Sequence, residues 1–130
     1  MRNFMAELHV VGVLIDGVER ELVNMTPHPV TVYQMDGTTP VVTVPSSGMV
    51  RVAETVRALS EEEGDVPIVS IERNPSQIEG LPDYNGNRYV IVSDLAYQAA
   101  KPLGRDDLLR PGPAVRDESG RIIGCKGLAI

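Results

Sequence analysis

The segment Leu22-Val23-Asn24-Met25-Thr26-Pro27-His28-Pro29-Val30 spaces three hydrogen-bonding side chains two residues apart. Extended backbone would put Asn24, Thr26 and His28 on one face. The amide and the hydroxyl each donate and accept, and the imidazole titrates near neutral pH. Pro27 and Pro29 fix the backbone on both sides of the histidine and remove two backbone donors. Such a set can wall a polar pocket. It can equally form a turn in which Asn24 and Thr26 bond local backbone and His28 fills a gap.

As a general base, His28 needs a nucleophile and an orienting acceptor. Ser46, Ser47, Ser93 and Asp107 supply the residue types, but none of the serines sits in a nucleophile-elbow sequence. His9 and His28 are the only histidines, and their spacing matches no zinc arrangement. No metal and no cofactor are expected.

Three further segments could hold an anion. Pro45-Ser46-Ser47-Gly48 leads to Arg51, combining hydroxyls, backbone N–H groups and a guanidinium without the lysine or spacing of a P-loop. The bland alternative is a β-turn with Arg51 in solvent. Ser93-Asp94 opens a helix whose first N–H groups favour anions, although Asp94 already brings negative charge and simple capping explains Ser93. Gly104 to Gly112 holds Arg105 and Arg110, which can grip phosphate bidentately or pair with neighbouring aspartates. The expected ligand-binding set is Asn24, Thr26, His28, Ser46, Ser47, Arg51, Ser93, Arg105 and Arg110. A stacked base would use Phe4, Tyr33, Tyr84, Tyr89 or Tyr97, since the chain has no other aromatic residue.

These residues must be positioned by short elements. The chain's 12 glycines and 10 prolines separate apolar runs rich in Val and Ile, which is a β pattern. Strands are expected near Leu8–Ile15, Glu21–Asn24, Val30–Gln34, Val41–Val44, Met49–Glu54, Pro67–Glu72, Gln77–Glu79 and Arg88–Val92. A last hairpin pairs Ala114–Arg116 with Arg121–Cys125. Gly17, Asp36-Gly37 and Asn85-Gly86 mark turns. Val56–Glu63 reads as a helical turn or two. Ser93–Lys101 reads as a capped helix ended by Pro102 and Gly104. The fold expected is mainly β, a compact barrel or sandwich of short antiparallel strands with one short helix.

At 130 residues the chain fits one domain, 1–130, with 1–20 as an N-terminal arm or extra hairpin. A net charge of −6 argues against nucleic acid polymers as partners, since these need basic surface, but leaves room for a small anion held by a few arginines. No apolar run approaches about 20 residues, so no membrane partner is expected. Glu7 and His9 interrupt the N-terminal apolar stretch, which therefore reads as a strand or packing arm rather than a leader. The acidic run Glu61-Glu62-Glu63 reads as a solvated face. A single Cys125 rules out an intramolecular disulfide and fits a reducing, cytoplasmic compartment.

The order of several segments carries a resemblance. Asn24-Met25-Thr26-Pro27-His28 is followed by Pro45-Ser46-Ser47-Gly48 and Arg51, then Gly80-Leu81-Pro82 and Tyr89-Val90-Ile91-Val92-Ser93. Gly104-Arg105-Asp106-Asp107, Val115-Arg116-Asp117 and Gly120-Arg121-Ile122-Ile123-Gly124 complete it. From about Leu22 to Gly124 this resembles a family of small uncharacterised proteins of bacteriophages, prophages and actinobacteria. The resemblance implies a phage-related setting in a host cell and brings no established activity. Small acidic phage proteins include anti-defence sponges, which sequester nucleotide immune signals such as cyclic ADP-ribose derivatives and are commonly oligomeric. By analogy of size and setting, the expectation is noncatalytic sequestration of an ADP-ribose-type signal by a homo-oligomer. The alternatives are an inhibitor of a host defence protein or a structural phage component, using a strand edge or the N-terminal arm, and lastly a hydrolase using His28.

Overall fold

The computed structural model describes residues 8–60 and 62–130, apart from the side chains of Pro75 and Ser76. Met1 to Glu7, including Phe4, lie outside the described residues, as does Glu61. The chain begins with a hairpin of β1 (Val11–Ile15) and β2 (Val18–Asn24). Asp16 and Gly17 turn it with φ of 51° and 77°. Two successive positive φ values match the right-handed strand twist, which is why an Asp-Gly pair serves here. A second hairpin joins β3 (Val30–Tyr33) to β4 (Pro40–Val44), and a third joins β5 (Arg51–Ser60) to β6 (Ile68–Glu79).

After the third hairpin come β7 (Arg88–Ile91), helix α1 (Asp94–Ala100) and a 3-10 turn at Lys101–Leu103. Four short strands finish the chain: β8 (Leu108–Pro111), β9 (Ala114–Arg116), β10 (Ile122–Lys126) and β11 (Leu128–Ala129). They build a curled half-barrel of order β1-β2-β7-β8-β11, a four-stranded sheet β4-β3-β10-β9, and the separate β5–β6 ribbon. A mainly β protein with one short helix is the result, as the sequence led one to expect.

Pairing is mixed in direction, which corrects the expectation of antiparallel strands alone. β2 runs parallel to β7, β7 parallel to β8, and β3 parallel to β10. Strands covered on both faces carry continuous apolar runs, and Tyr89-Val90-Ile91-Val92 is one. Val23, Val90, Val92 and Leu108 face α1, where Ala96 and Ala100 let the helix approach closely. Leu22, Ile91 and Leu109 face the other way and pack with Val44 of the second sheet. The five-stranded sheet is therefore the middle layer.

Three local expectations are corrected. Of Val56–Glu63, read as a helical turn or two, Val56 to Ser60 belong to β5, held by antiparallel partners from Ile68 to Arg73, and Glu61 lies outside the described residues. Pro67–Glu72 and Gln77–Glu79 are one strand, interrupted by a bulge between Arg73 and Ile78. Leu108–Pro111, read as part of an anion loop, is a strand. Among the described residues, no helix is long and apolar enough to cross a membrane.

Candidate functional site

The polar cluster that opens the chain's chemistry is a structural knot. Asn24 ends β2 and is fully buried. Its amide donates to the carbonyls of His28 (2.8 Å) and Val44 (3.0 Å). Its Oδ1 accepts from the Thr26 N–H at 2.9 Å and the Thr26 hydroxyl at 2.6 Å. The Thr26 hydroxyl also lies 3.1 Å from the His28 carbonyl. The asparagine amide is thus engaged on both its oxygen and its nitrogen, and the His28 side chain stands exposed outside the knot.

The second candidate segment docks onto the first. Ser46 Oγ donates to the Thr26 carbonyl, the Ser47 N–H to Asn24 O, and the Val50 N–H to Met25 O. Ser47 is buried, and its hydroxyl accepts the His9 N–H at 2.7 Å. Arg51 begins β5 opposite Glu79 and is exposed. The third and fourth segments meet in the same way. Ser93 Oγ caps α1 by accepting the Ala96 N–H at 3.2 Å. Arg110 pairs with Asp94 in the first helical turn and lies 4.9 Å above the Tyr97 ring, pinning the helix start to β8. Arg105 grips buried Asp107 with two N–H groups and donates its Nη1 to Pro82 O at 2.8 Å. The structure thus engages Asn24, Thr26, Ser46, Ser47, Ser93, Arg105 and Arg110 with other groups of the chain, and leaves the side chains of His28 and Arg51 exposed.

His28 does line a surface groove of 400 Å³ together with Cys125. The Cys125 thiol is directed at the Thr31 carbonyl, 3.8 Å away, and burial pushes its pKa up. A thiol held protonated in this way is a poor nucleophile. Among the described residues, no three His, Cys, Asp or Glu side chains converge as a metal site would need.

The concave surfaces lie elsewhere. Where the two large sheets gape, an apolar trough of 390 Å³ runs between Val13, Leu22, Val32, Val42, Leu109 and Leu128, with Tyr89 and Asp106 at one end. A polar pocket of 160 Å³ lies beside it, lined by Arg20, Tyr84, Gly86, Arg88, Tyr89, Asp106 and Asp107. Tyr89 and Asp106 belong to both linings, so the trough and the pocket adjoin.

Charge in the pocket is unevenly cancelled. Asp107 is neutralised by Arg105. Asp106 hydrogen-bonds the Tyr84 phenol and, by that bond and its charge, holds the phenol above its usual pKa. Arg20 donates to the Asn87 side-chain carbonyl and Arg88 to the Asp83 backbone carbonyl. Neither has a carboxylate within ion-pair distance among the described residues. The Arg88 Nε–H is buried without a hydrogen-bond partner, as is that of Arg110. A buried donor without an acceptor is costly.

Arg20, Arg88 and Asp106 were absent from the set expected from sequence. A signal existed: Arg88 opens the run Tyr89-Val90-Ile91-Val92, and Tyr84 and Tyr89 flank the Asn85-Gly86 turn. Comparison with protein-family models, curated proteins and solved structures finds no match.

Proposed function

We propose that the protein binds a small anionic, nucleotide-sized ligand without transforming it, across the trough and the adjoining pocket that share Tyr89. The observation that carries this reading is the shared lining, which joins an apolar trough to two guanidinium groups without carboxylate partners. Small-molecule sites combine a mostly apolar concave wall with a few fixed polar groups, and the trough has the usual volume. A planar or apolar moiety would lie along Leu22, Val42 and Leu109. A phosphate or carboxylate would meet Arg20 and Arg88. Binding without turnover is favoured because the hydroxyls and thiol reviewed above are engaged with backbone groups. The resemblance to phage-associated proteins supplies a setting, in a host cytoplasm, where retaining an ADP-ribose-type signal is itself the activity.

The test is retention and release. The protein is incubated with a nucleotide panel that includes ADP-ribose, freed of unbound ligand, heat-denatured, and the released material analysed. One compound returned intact is the expected result. Arg88→Ala should weaken its binding about tenfold or more, since a charged hydrogen bond is worth at least about 1.4 kcal/mol. His28→Ala should bind as the parent does. A chemically altered product would make the protein an enzyme, and no retention of any nucleotide would overturn the proposal.

A further inference from the structure

Gly86 lines the polar pocket, yet neither the backbone nor the packing requires a glycine there. Its φ lies outside the left-handed region, and a Cβ would meet only Tyr84, at 3.9 Å from the hydroxyl and 4.0 Å from the ring. What sets the position apart is its predecessor. Asn85-Gly86 is the one place in the sequence where glycine follows asparagine. The backbone nitrogen that follows an asparagine can attack its carboxamide, and a glycine leaves that approach open. The turn holds the pair in a disposition that suits the attack. Asn85 Oδ1 accepts the Asn87 N–H at 2.9 Å, which folds the carboxamide forward over the Gly86 peptide. Asn85 O accepts the Arg88 N–H at 3.0 Å and closes the same turn. Oδ1 is the oxygen that gains negative charge when Cγ is attacked, so the Asn87 N–H stands where it stabilises that charge. The Gly86 N–H donates to no acceptor among the described residues, and both residues are exposed. The other described asparagines lack this combination. Asn24 is fully buried with both amide atoms engaged, Asn74 precedes a proline that has no N–H, and Asn87 precedes arginine.

We infer that Asn85 is a site of spontaneous modification, converting to aspartate and isoaspartate at the rim of the polar pocket. The Gly86 nitrogen loses its proton and bonds to Asn85 Cγ. The Cγ–Nδ2 bond breaks, and ammonia leaves carrying that proton, which closes a cyclic imide. Water then adds to either imide carbonyl. Opening one C–N bond gives aspartate in an unchanged backbone. Opening the other gives isoaspartate, whose side-chain carbon joins the main chain. Water is the only co-reactant, and NH is exchanged for oxygen. Either product sets a carboxylate in the turn that carries Gly86 and leads into Arg88. An aspartate there can still accept the Asn87 N–H, so the turn persists. The new charge offsets Arg20 and Arg88, which have no carboxylate within ion-pair distance among the described residues. For this consequence alone the inference rests on the anion-binding reading given above: retention of the nucleotide falls as the protein ages.

Ageing the full chain tests it. The protein is kept in mildly alkaline buffer, sampled over days, digested with trypsin and analysed by mass spectrometry. The peptide 74–88 should gain the mass of oxygen in place of NH and contain isoaspartate at position 85. Gly86→Ala should slow the conversion severalfold with an unchanged circular dichroism spectrum, because the added methyl fits beside Tyr84. Asn85→Asp, which copies one product, should fold as the parent does and retain the nucleotide severalfold less than fresh protein. The inference is overturned by no conversion of the folded protein where the chain in denaturant converts, by conversion without isoaspartate, or by conversion indifferent to Gly86→Ala. Equal retention by fresh, aged and Asn85→Asp protein would overturn the loss of affinity. No retention by fresh protein would instead sink the ligand reading, and the mass gain at Asn85 would still decide the modification.

Discussion

Asn24 shows how one side chain can fix three segments. Its amide reaches the carbonyl of His28 in the following turn and that of Val44 at the end of β4, while its oxygen takes two hydrogens from Thr26. Asn24→Ala would leave buried groups at Thr26 and Val44 unpaired, at about 3 kcal/mol in total. A melting temperature lower by roughly 10 °C is the expected reading in a thermal scan. His28→Ala, by contrast, should shift stability by no more than about 0.5 kcal/mol, as exposed substitutions usually do. Asp36 gives a second residue-scale test. Bonds from the Thr39 hydroxyl and the Thr38 and Thr39 N–H groups hold its carboxyl down at about 2 from an ordinary 3.8. Folding lowers this pKa, so the carboxylate's contribution is complete above 3.8 and is lost as pH falls through 2. The Thr38 and Thr39 amide signals should therefore stay fixed at pH 5 and move only in that acid window. Movement already at pH 5 would refute the assignment, and Asp36→Asn should abolish the titration. The polar character of Asn24 and Thr26 was legible in the sequence, and so was their alternative use in a turn. What the sequence withheld was the identity of their partners, because Val44 and Ser46 lie 20 residues away.

At the scale of elements, the closest approach in the second sheet explains a glycine. β10 lies parallel to β3, with Cys125 beside Val32. A Cβ on Gly124 would stand 2.4 Å from the Thr31 carbonyl oxygen and 2.6 Å from the Tyr33 ring. Backbone cannot retreat from such an overlap as a side-chain tip can. Gly124→Ala should destabilise the protein by about 1–3 kcal/mol, read as a lower denaturant midpoint at unchanged slope. An unaltered midpoint would show that the strands can part. The turns at Gly17, Asp36-Gly37 and Asn85-Gly86 were all readable from local chemistry, and so was the Ser93 cap. The ribbon strand was not. Arg57, Ala58, Leu59 and the glutamates that follow are good helix formers, and only pairing with Ile68 to Arg73 makes Val56 to Ser60 extended. β8 was missed for a related reason: Leu108 and Leu109 are strand residues because β7 lies beside them.

On the scale of the whole molecule, the polar pocket could not have been read in advance. Arg20 comes from the beginning of β2, Tyr84 from the approach to β7 and Arg88 from its first residue, and Asp106 from the approach to β8. Three chain segments meet there because β2, β7 and β8 are neighbours running the same way, which brings corresponding strand beginnings to one edge. The sequence did carry the ingredients, namely sparse aromatics, scattered arginines and no convincing catalytic set. It could not say which arginines would be neutralised internally. Arg105 and Arg110, the pair that looked available, are the ones joined to aspartates.

The parallel centre of the sheet also dictates an order of assembly. Each of the three hairpins before β7 closes between residues near in sequence and can form on its own timescale of microseconds. β2 must wait for β7, whose residue Ile91 lies opposite Asn24, and β3 must wait for β10. Topologies dominated by such distant pairings fold slowly. During synthesis, the first seventy-odd residues therefore emerge as hairpins with apolar faces and no middle layer to cover them. Completion of the core falls to the last third of the chain, so early termination would leave exposed strand edges rather than a smaller stable domain.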